Sequence, residues 1–200
     1  MRRLHLGCFD RAIEGWVNTD ISPHVYVARI PGAARVLWAL GLMSAERLEQ
    51  HRRGVFDGLY RLDLTKRLPW RDGEFEAAFS AHVFEHLYRD DAKRCAAEVH
   101  RVLAPGGVFR ITVPDLDHAI ERYDPRWPEE LLQLVYENTQ RRDKNRHHWM
   151  YNEHSLRRML LAAGFAEVKR CAYREGSCPD IDHLDNRPEG TLFMEAFKRG

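Results

Sequence analysis

The stretch FEAAFSAHVFEHLYRDDAKRCAAEVHRVLAPGGVFRITVPD, Phe75 to Asp115, decides the fold. Phe75 to Ser80 is an apolar run of strand length that ends at small residues, where a ligand can approach the backbone. His82 to Leu87 turns the chain. From Asp90 onward Ala92, Cys95, Ala96, Val99, Val102 and Leu103 recur at spacings of three and four. They form one apolar helical stripe, which has to lie on a sheet. Pro105, Gly106 and Gly107 are expected to stop this helix, and Val108 to Val113 to supply a second strand parallel to the first. The stretch is a βαβ unit.

Upstream of it, Arg3 to Cys8 reads as a strand that meets Gly7, and Trp16 to Ile21 as a second strand ending at Asp20. A crossover between parallel strands needs about a dozen residues or more. Only Phe9 to Gly15 separate these two, so a tight loop or a single helical turn is expected. Two helical pieces follow, Ala33 to Leu40 and Ala45 to Arg53, split by Gly41 and restarted at Ser44, a good N-cap. Val36, Leu37 and Leu40 fall on one side of the first piece, as in a core helix or a flap over a cleft. Val55 to Leu64 reads as a third strand closing at Asp63, before a polar turn at Arg71, Asp72 and Gly73.

Downstream, a helix is expected from Asp115 to Tyr123, then another with Pro128 in its first turn and a stripe of Leu131, Leu134, Val135 and Asn138. The basic connector RRDKNRHH, Arg141 to His148, runs into Trp149, Met150 and Tyr151, which a purely solvated loop would not need. Asn152 caps a helix carrying Leu156, Met159, Leu160 and Ala163, which Gly164 ends. Ala166 to Tyr173 and Thr191 to Lys198 alternate as two late, antiparallel strands.

A chain of 200 residues with 44% hydrophobic content suits a single α/β domain, here with a helical insertion at about residues 24–53. The formal net charge of +1 gives no overall field favouring nucleic acid. No window approaches the roughly 20 apolar residues of a membrane span. MRRLHLGCFD leads straight into a strand-like run without a signal region, so a cytoplasmic protein is expected. Cys8, Cys95, Cys171 and Cys178 form no CxxC pair, which points to neither a zinc ribbon nor a disulfide framework. Reduced thiols are expected.

Asp20, Asp63 and Ser80 stand at the carboxyl ends of successive expected strands, where open α/β sheets bind their ligands. Asp20 is placed to accept hydrogen bonds from ribose hydroxyls, and Asp63 to take an adenine amino group. Taken singly, each Asp reads more readily as a cap or turn former; together, in register with Gly7, they favour a nucleoside-like ligand. His82, Glu85 and His86 spell H-x-x-E-H, a zinc-peptidase pattern, but that motif belongs within a long helix and here follows a strand. Asp180, Asp182, His183 and Asp185 read as a solvated acidic loop that could hold an ion. No metal is expected.

Taken together, LHLGCFDRAIEGWVNTDIS, LDLTKRLPWRDGEFEAAFSAHVFEHL, AAEVHRVLAPGGVFRITVPD and NEHSLRRMLLAAGF resemble a small class I S-adenosylmethionine-dependent methyltransferase. The branch resembled holds many bacterial methyltransferases, some linked to polysaccharide or glycosylation pathways. The resemblance implies a Rossmann-like, seven-stranded, mostly parallel sheet of order 3-2-1-4-5-7-6, with helices on both faces and the last strand antiparallel. It places Gly7, Cys8 and Phe9 in the glycine-rich loop under the cofactor, Asp20 and Ile21 at the ribose, and Asp63 and Leu64 at the adenine. Ser80, Ala81 and His82 fall opposite the sulfonium. The family usually has a second glycine where Phe9 stands, and a helix after it that has no room here.

His82 and His86 are the candidates for a general base, needed only if the acceptor arrives protonated. Asp115, His147, His148, Trp149 and Tyr151 are the expected acceptor-side contacts, and they suit a small-molecule or saccharide acceptor better than nucleic acid. Two further readings stay open: a binding module that kept the fold without catalysis, and a zinc hydrolase using the H-x-x-E-H run. Oligomeric state is not legible.

Overall fold

A computed structural model describes residues 2–136 and 146–200. Asn138 and residues 141–145 of the basic connector lie outside the described residues. Strands β1 (Arg2–Leu6) and β2 (Trp16–Asp20) pair in parallel, with Leu4 opposite Val17. Their connection contains no helix. Instead the Asn18 side chain fastens it, donating to the Ile13 and Trp16 carbonyls at 2.8 and 3.1 Å and accepting from the Ile13 amide at 3.0 Å.

Helices α1 (His24–Val27), α2 (Ala33–Ala39) and α3 (Ala45–Arg52) come next. Ser44 caps α3 as expected, its hydroxyl accepting from the Arg47 amide. The apolar side of α2 is not core: none of its residues is buried, and Val36 and Leu40 are 58% and 66% exposed. The expected third strand from Val55 to Leu64 shrinks to β3 (Tyr60–Arg61). Gly54 and Gly58 both adopt φ near +70°, which ends any extended run between them and folds Phe56 and Leu59 inward against Cys8 and Val25.

Strand β4 (Phe75–Ala81) leads through a short 3-10 turn (Phe84–His86) into α4 (Arg89–Val102), which buries Ala92, Cys95, Ala96, Val99 and Val102. The Pro-Gly-Gly run does not stop this helix. The chain is already extended at Leu103, and Pro105 to Gly107 lie inside β5 (Leu103–Pro114) as an irregularity, the pairing with β4 jumping from Phe75–Leu103 to Ala77–Val108. A Cβ at Gly107 would sit 2.9 Å from the Ala104 carbonyl oxygen, so the bulge requires glycine there.

Helices α5 (Leu116–Glu121), α6 (Pro128–Tyr136) and α7 (Glu153–Ala162) follow, the last opened by reciprocal bonds between Asn152 and Ser155. Then β6 (Glu167–Cys171), α8 (Ile181–Leu184) and β7 (Thr191–Phe197) complete a seven-stranded sheet of order β3-β2-β1-β4-β5-β7-β6. β7 runs antiparallel to both neighbours, and the other pairs are parallel. This is the Rossmann-like sheet expected from the sequence.

Helices α4 and α7 cover one face over Leu4, Leu6, Phe109, Ile111, Leu192 and Met194. Fully burying each such side chain contributes roughly 1.5–3 kcal/mol. The opposite face is closed by Trp16, Phe79, Cys178 and Leu184, with α8 and its flanking loops in place of long helices. Among the described residues no helix is long and apolar enough to cross a membrane.

Candidate active site

The parallel strands end together on one edge of the sheet. Gly7, the first residue past β1, has φ +67°, and a Cβ there would lie 2.5 Å from Val83 Cγ2. Only glycine lets β1 end this close to the loop after β4. The Cys8 amide donates to the Thr19 carbonyl at 2.8 Å, tying this loop to β2. Its thiol packs with Val25, Phe56 and Leu59, and burial pushes its pKa up to about 12. Cys8 therefore offers backbone rather than a thiolate.

Phe9 has φ +43°, so the position that usually holds glycine in the resembled family demands a left-handed backbone here as well. Its ring meets Phe56 edge-on at 6.2 Å, under the Arg47 guanidinium at 5.4 Å.

Asp20 ends β2 partly buried. Burial raises its pKa, and hydrogen bonds from the Ser22 amide (2.7 Å) and the Phe9 amide pull the other way without cancelling it. Such a carboxylate has capacity for further donors. Asp63 is more fully committed: it accepts from the Thr65 hydroxyl at 2.7 Å and the Thr65 amide at 3.0 Å, bonds that hold its pKa low. Leu64 is buried, Ile21 exposed, and Ser80 buried with a hydroxyl that has no hydrogen-bond partner among the described residues.

The glycine cradle at the end of β1 and the underpaired Asp20 at the end of β2 are what a nucleoside-type cofactor needs, so the residues present fit one.

His82 follows Ala81 in the loop after β4, with φ +52°, an uncommon backbone for a non-glycine residue. Its Nε2 is 3.4 Å from Thr191 Oγ1 and its Nδ1 is 3.3 Å from Glu85 Oε1. Beyond His82 opens a cleft of about 690 Å³ walled by α5, α6 and the 187–191 segment. His118, Tyr123, Trp127, Arg187 and Glu189 line it, together with His147.

Among the residues expected on the acceptor side, His147 alone borders this cleft. Asp115 caps α5, accepting from the Asp117 amide at 3.1 Å, and pairs with Arg170 at 3.0 Å. His148 stacks on Tyr88, and Arg89 lies over the Trp149 ring. Tyr151 is buried and forms a bridge with Asp115. His86 rests its ring against His147, 4.9 Å between centroids, away from the cleft lining.

Sequence reasoning did not single out His118, Tyr123, Trp127 or Thr191. Their one legible signal was an aromatic-rich α5–α6 junction whose Trp127 stays 64% exposed.

A Rossmann-like sheet of this order, with a ligand edge and an adjoining cleft, defines the class I methyltransferase architecture. Residues 17–111 match the family model of the methyltransferase domain. No curated protein is significantly similar in sequence.

Among the solved structures that share the fold are the following three. A possible exported protein from Bordetella parapertussis has TM-score 0.56 and 15% identity over 99% of this chain and 61% of that one, so this chain spans about three fifths of its length. An S-adenosylmethionine-dependent methyltransferase from Thermotoga maritima has TM-score 0.53 and 15% identity over 99% and 82%. Another from Mesorhizobium loti has TM-score 0.53 and 18% identity over 98% and 90%. The methyltransferase-domain match covers residues 17–111, and the fold of the chain is one that solved S-adenosylmethionine-dependent methyltransferases also adopt.

Proposed function

We propose that the protein transfers the methyl group of S-adenosylmethionine to a hydroxyl of a small polar acceptor of saccharide type. The observation that carries this reading is the position of His82, between the strand ends that suit the cofactor and the cleft beyond them.

When bound, the cofactor supplies an electrophilic methyl group on a sulfonium. The Gly7 loop would admit the cofactor close to the backbone, Asp20 would accept from ribose hydroxyls, and Asp63 and Leu64 would flank the adenine. Ser80 to His82 form the wall toward the methyl group. The protein's main contribution is positional, holding the acceptor oxygen in line at about 3 to 3.5 Å.

His82 would take the acceptor hydroxyl's proton on Nε2, the chemistry a bound cofactor would supply being the electrophilic methyl group. Glu85 Oε1 lies 3.3 Å from Nδ1 outside a hydrogen-bonding angle, a loose contact of the kind that tightens when a site fills. Trp127 and Tyr123 offer faces for a sugar ring, while His118, Arg187 and Glu189 offer polar partners for its hydroxyls. Four free cysteines accord with work in the reducing cytoplasm.

Phe9 favours a second reading, a module that keeps the fold without binding cofactor, because a bulky residue occupies a left-handed loop position. Calorimetric titration with S-adenosylhomocysteine separates the two. Catalysis requires saturable binding that Asp20→Ala weakens by about tenfold or more, on the order of 1.4 kcal/mol. No heat at millimolar ligand would leave the silent module standing.

A further inference from the structure

We propose that Glu85, His86 and His147 bind a divalent transition-metal ion of the zinc class beside the acceptor cleft. One ligand atom from each of the three lies within 4.8 Å of the other two. Two imidazoles and one carboxylate form a donor set suited to zinc, which takes such ligands at about 2.0–2.2 Å and leaves a fourth position for water or substrate.

Three independent observations support a built site. Glu85 is fully buried, and neither of its carboxylate oxygens has a hydrogen-bond donor among the described residues. His82 Nδ1 is near at 3.3 Å but at no bonding angle. A carboxylate taken out of water without donors is strongly disfavoured unless a counter-charge or a metal meets it.

Both histidines also carry the outer contacts typical of metal ligands. His147 Nδ1 lies 2.6 Å from the Leu134 carbonyl and His86 Nδ1 lies 3.3 Å from the Arg146 carbonyl. A carbonyl at Nδ1 fixes the proton there and leaves the lone pair on Nε2, the tautomer that coordinates.

Finally, the two parts of the chain are fastened without any ion. The His148 and Trp149 amides donate to the Glu85 carbonyl at 2.7 and 3.2 Å, so the backbone presents His147 to the 3-10 turn. A tetrahedral ion separates its ligand atoms by roughly 3.4 Å.

The arrangement differs from the H-x-x-E-H reading of the sequence. His82 and His86 do not lie one turn apart in a long helix, since His82 precedes a 3-10 turn that holds Glu85 and His86. The third ligand comes instead from His147, some sixty residues later in the chain. The inference concerns ion binding and stands whether or not the chain transfers a methyl group.

The test uses untagged full-length protein, dialysed against micromolar Zn²⁺ alone and assayed for bound metal by mass spectrometry, with visible spectra after Co²⁺ replacement. The expected result is about one ion per chain and a cobalt spectrum of tetrahedral nitrogen and oxygen ligation. His147→Ala and Glu85→Gln weaken binding by about tenfold or more. His86→Ala, at a partly exposed position, does the same and covers the case in which the buried variants fail to fold. His24→Ala with His51→Ala, which removes the other close histidine pair (3.0 Å), leaves binding intact. Wild-type protein without metal, retention of metal by all three site variants, or loss of metal in the His24/His51 variant would overturn the proposal.

Discussion

Replacing Arg110 by methionine should be among the most damaging single changes the chain can suffer. Arg110 lies mid-way along β5, fully buried. Its Nε and Nη2 donate to the two oxygens of Asp185 at 3.2 and 2.5 Å. Nη1 and Nη2 also donate to the Glu175 and Ala172 carbonyls at 2.8 and 3.0 Å, and Glu195 Oε1 lies 3.7 Å from Nη1.

One cation thus holds two buried carboxylates and two carbonyls. Methionine fills most of the volume but leaves Asp185 with the Arg174 amide as its remaining donor. Glu195 keeps its bonds from the Ser177 and Cys178 amides. Breaking one side of a buried ion pair costs about 3–5 kcal/mol. For a chain of this size, that is a fall in melting temperature on the order of 10 °C.

Urea denaturation of wild type, Arg110→Met, Asp185→Leu and the double variant forms a cycle. The double variant should recover about half or more of the single-variant loss, because two apolar groups replace the pair without stranding a charge. A loss below about 1 kcal/mol in Arg110→Met would refute the reasoning. The network also matters for the site, since it pins the chain just before Arg187 to Thr191, one wall of the cleft.

Gly7→Ala should cost about 2 kcal/mol and weaken S-adenosylhomocysteine, since a left-handed alanine is strained and its Cβ meets Val83 at 2.5 Å. Gly15→Ala, with φ +81° but open space around it, carries the conformational part alone, and equal losses in the two would remove the crowding argument. Phe9→Gly relieves about 1 kcal/mol of backbone strain and loses a similar amount of contact with Phe56 and Arg47. Stability should therefore hardly move while cofactor affinity rises, and a fall in affinity by calorimetry would show that the ring itself binds.

Burial holds His5 neutral, its pKa pushed from 6.5 down to about 4 with Asn18 only partly opposing. Its stabilising contribution is complete above pH 6.5 and is lost as pH falls toward 4, when the unfolded chain takes up a proton the folded one refuses. The full effect is roughly 3 kcal/mol, and His5→Leu should flatten that part of the urea-midpoint profile. Parallel profiles for the two proteins would contradict it.

The sheet was legible because its signals are local. The α4 stripe, the Asn152 cap and the alternation of the late strands each depend on residues close in sequence, and each appears where expected. The third strand was not, because apolar residues from Val55 to Leu64 satisfy a strand pattern while two left-handed glycines curl the chain into turns. At Pro105 to Gly107 the same punctuation that ends helices elsewhere is absorbed as a strand irregularity, since β4 pairs on both sides of it.

Gly7 and Asp20 stand at the ends of β1 and β2, the places expected from the sequence. The approach of His147 to Glu85 was not legible there, because it depends on how the chain returns after α6, and no spacing in the sequence encodes that return. The cleft residues on α5 and α6 were missed for the same reason. Their one trace in the sequence is the aromatic pair Tyr123 and Trp127 between the two helices.

The central claim is that one edge of the sheet holds S-adenosylmethionine with its reactive end directed at His82 and the cleft. A crystal structure with S-adenosylhomocysteine tests this most directly. The account predicts ribose hydroxyls on Asp20, adenine beside Leu64, and the sulfur between Gly7 and Ser80 to His82, opening toward His118 and Trp127. A ligand seated elsewhere, or a sulfur facing away from His82 and the cleft, would contradict it.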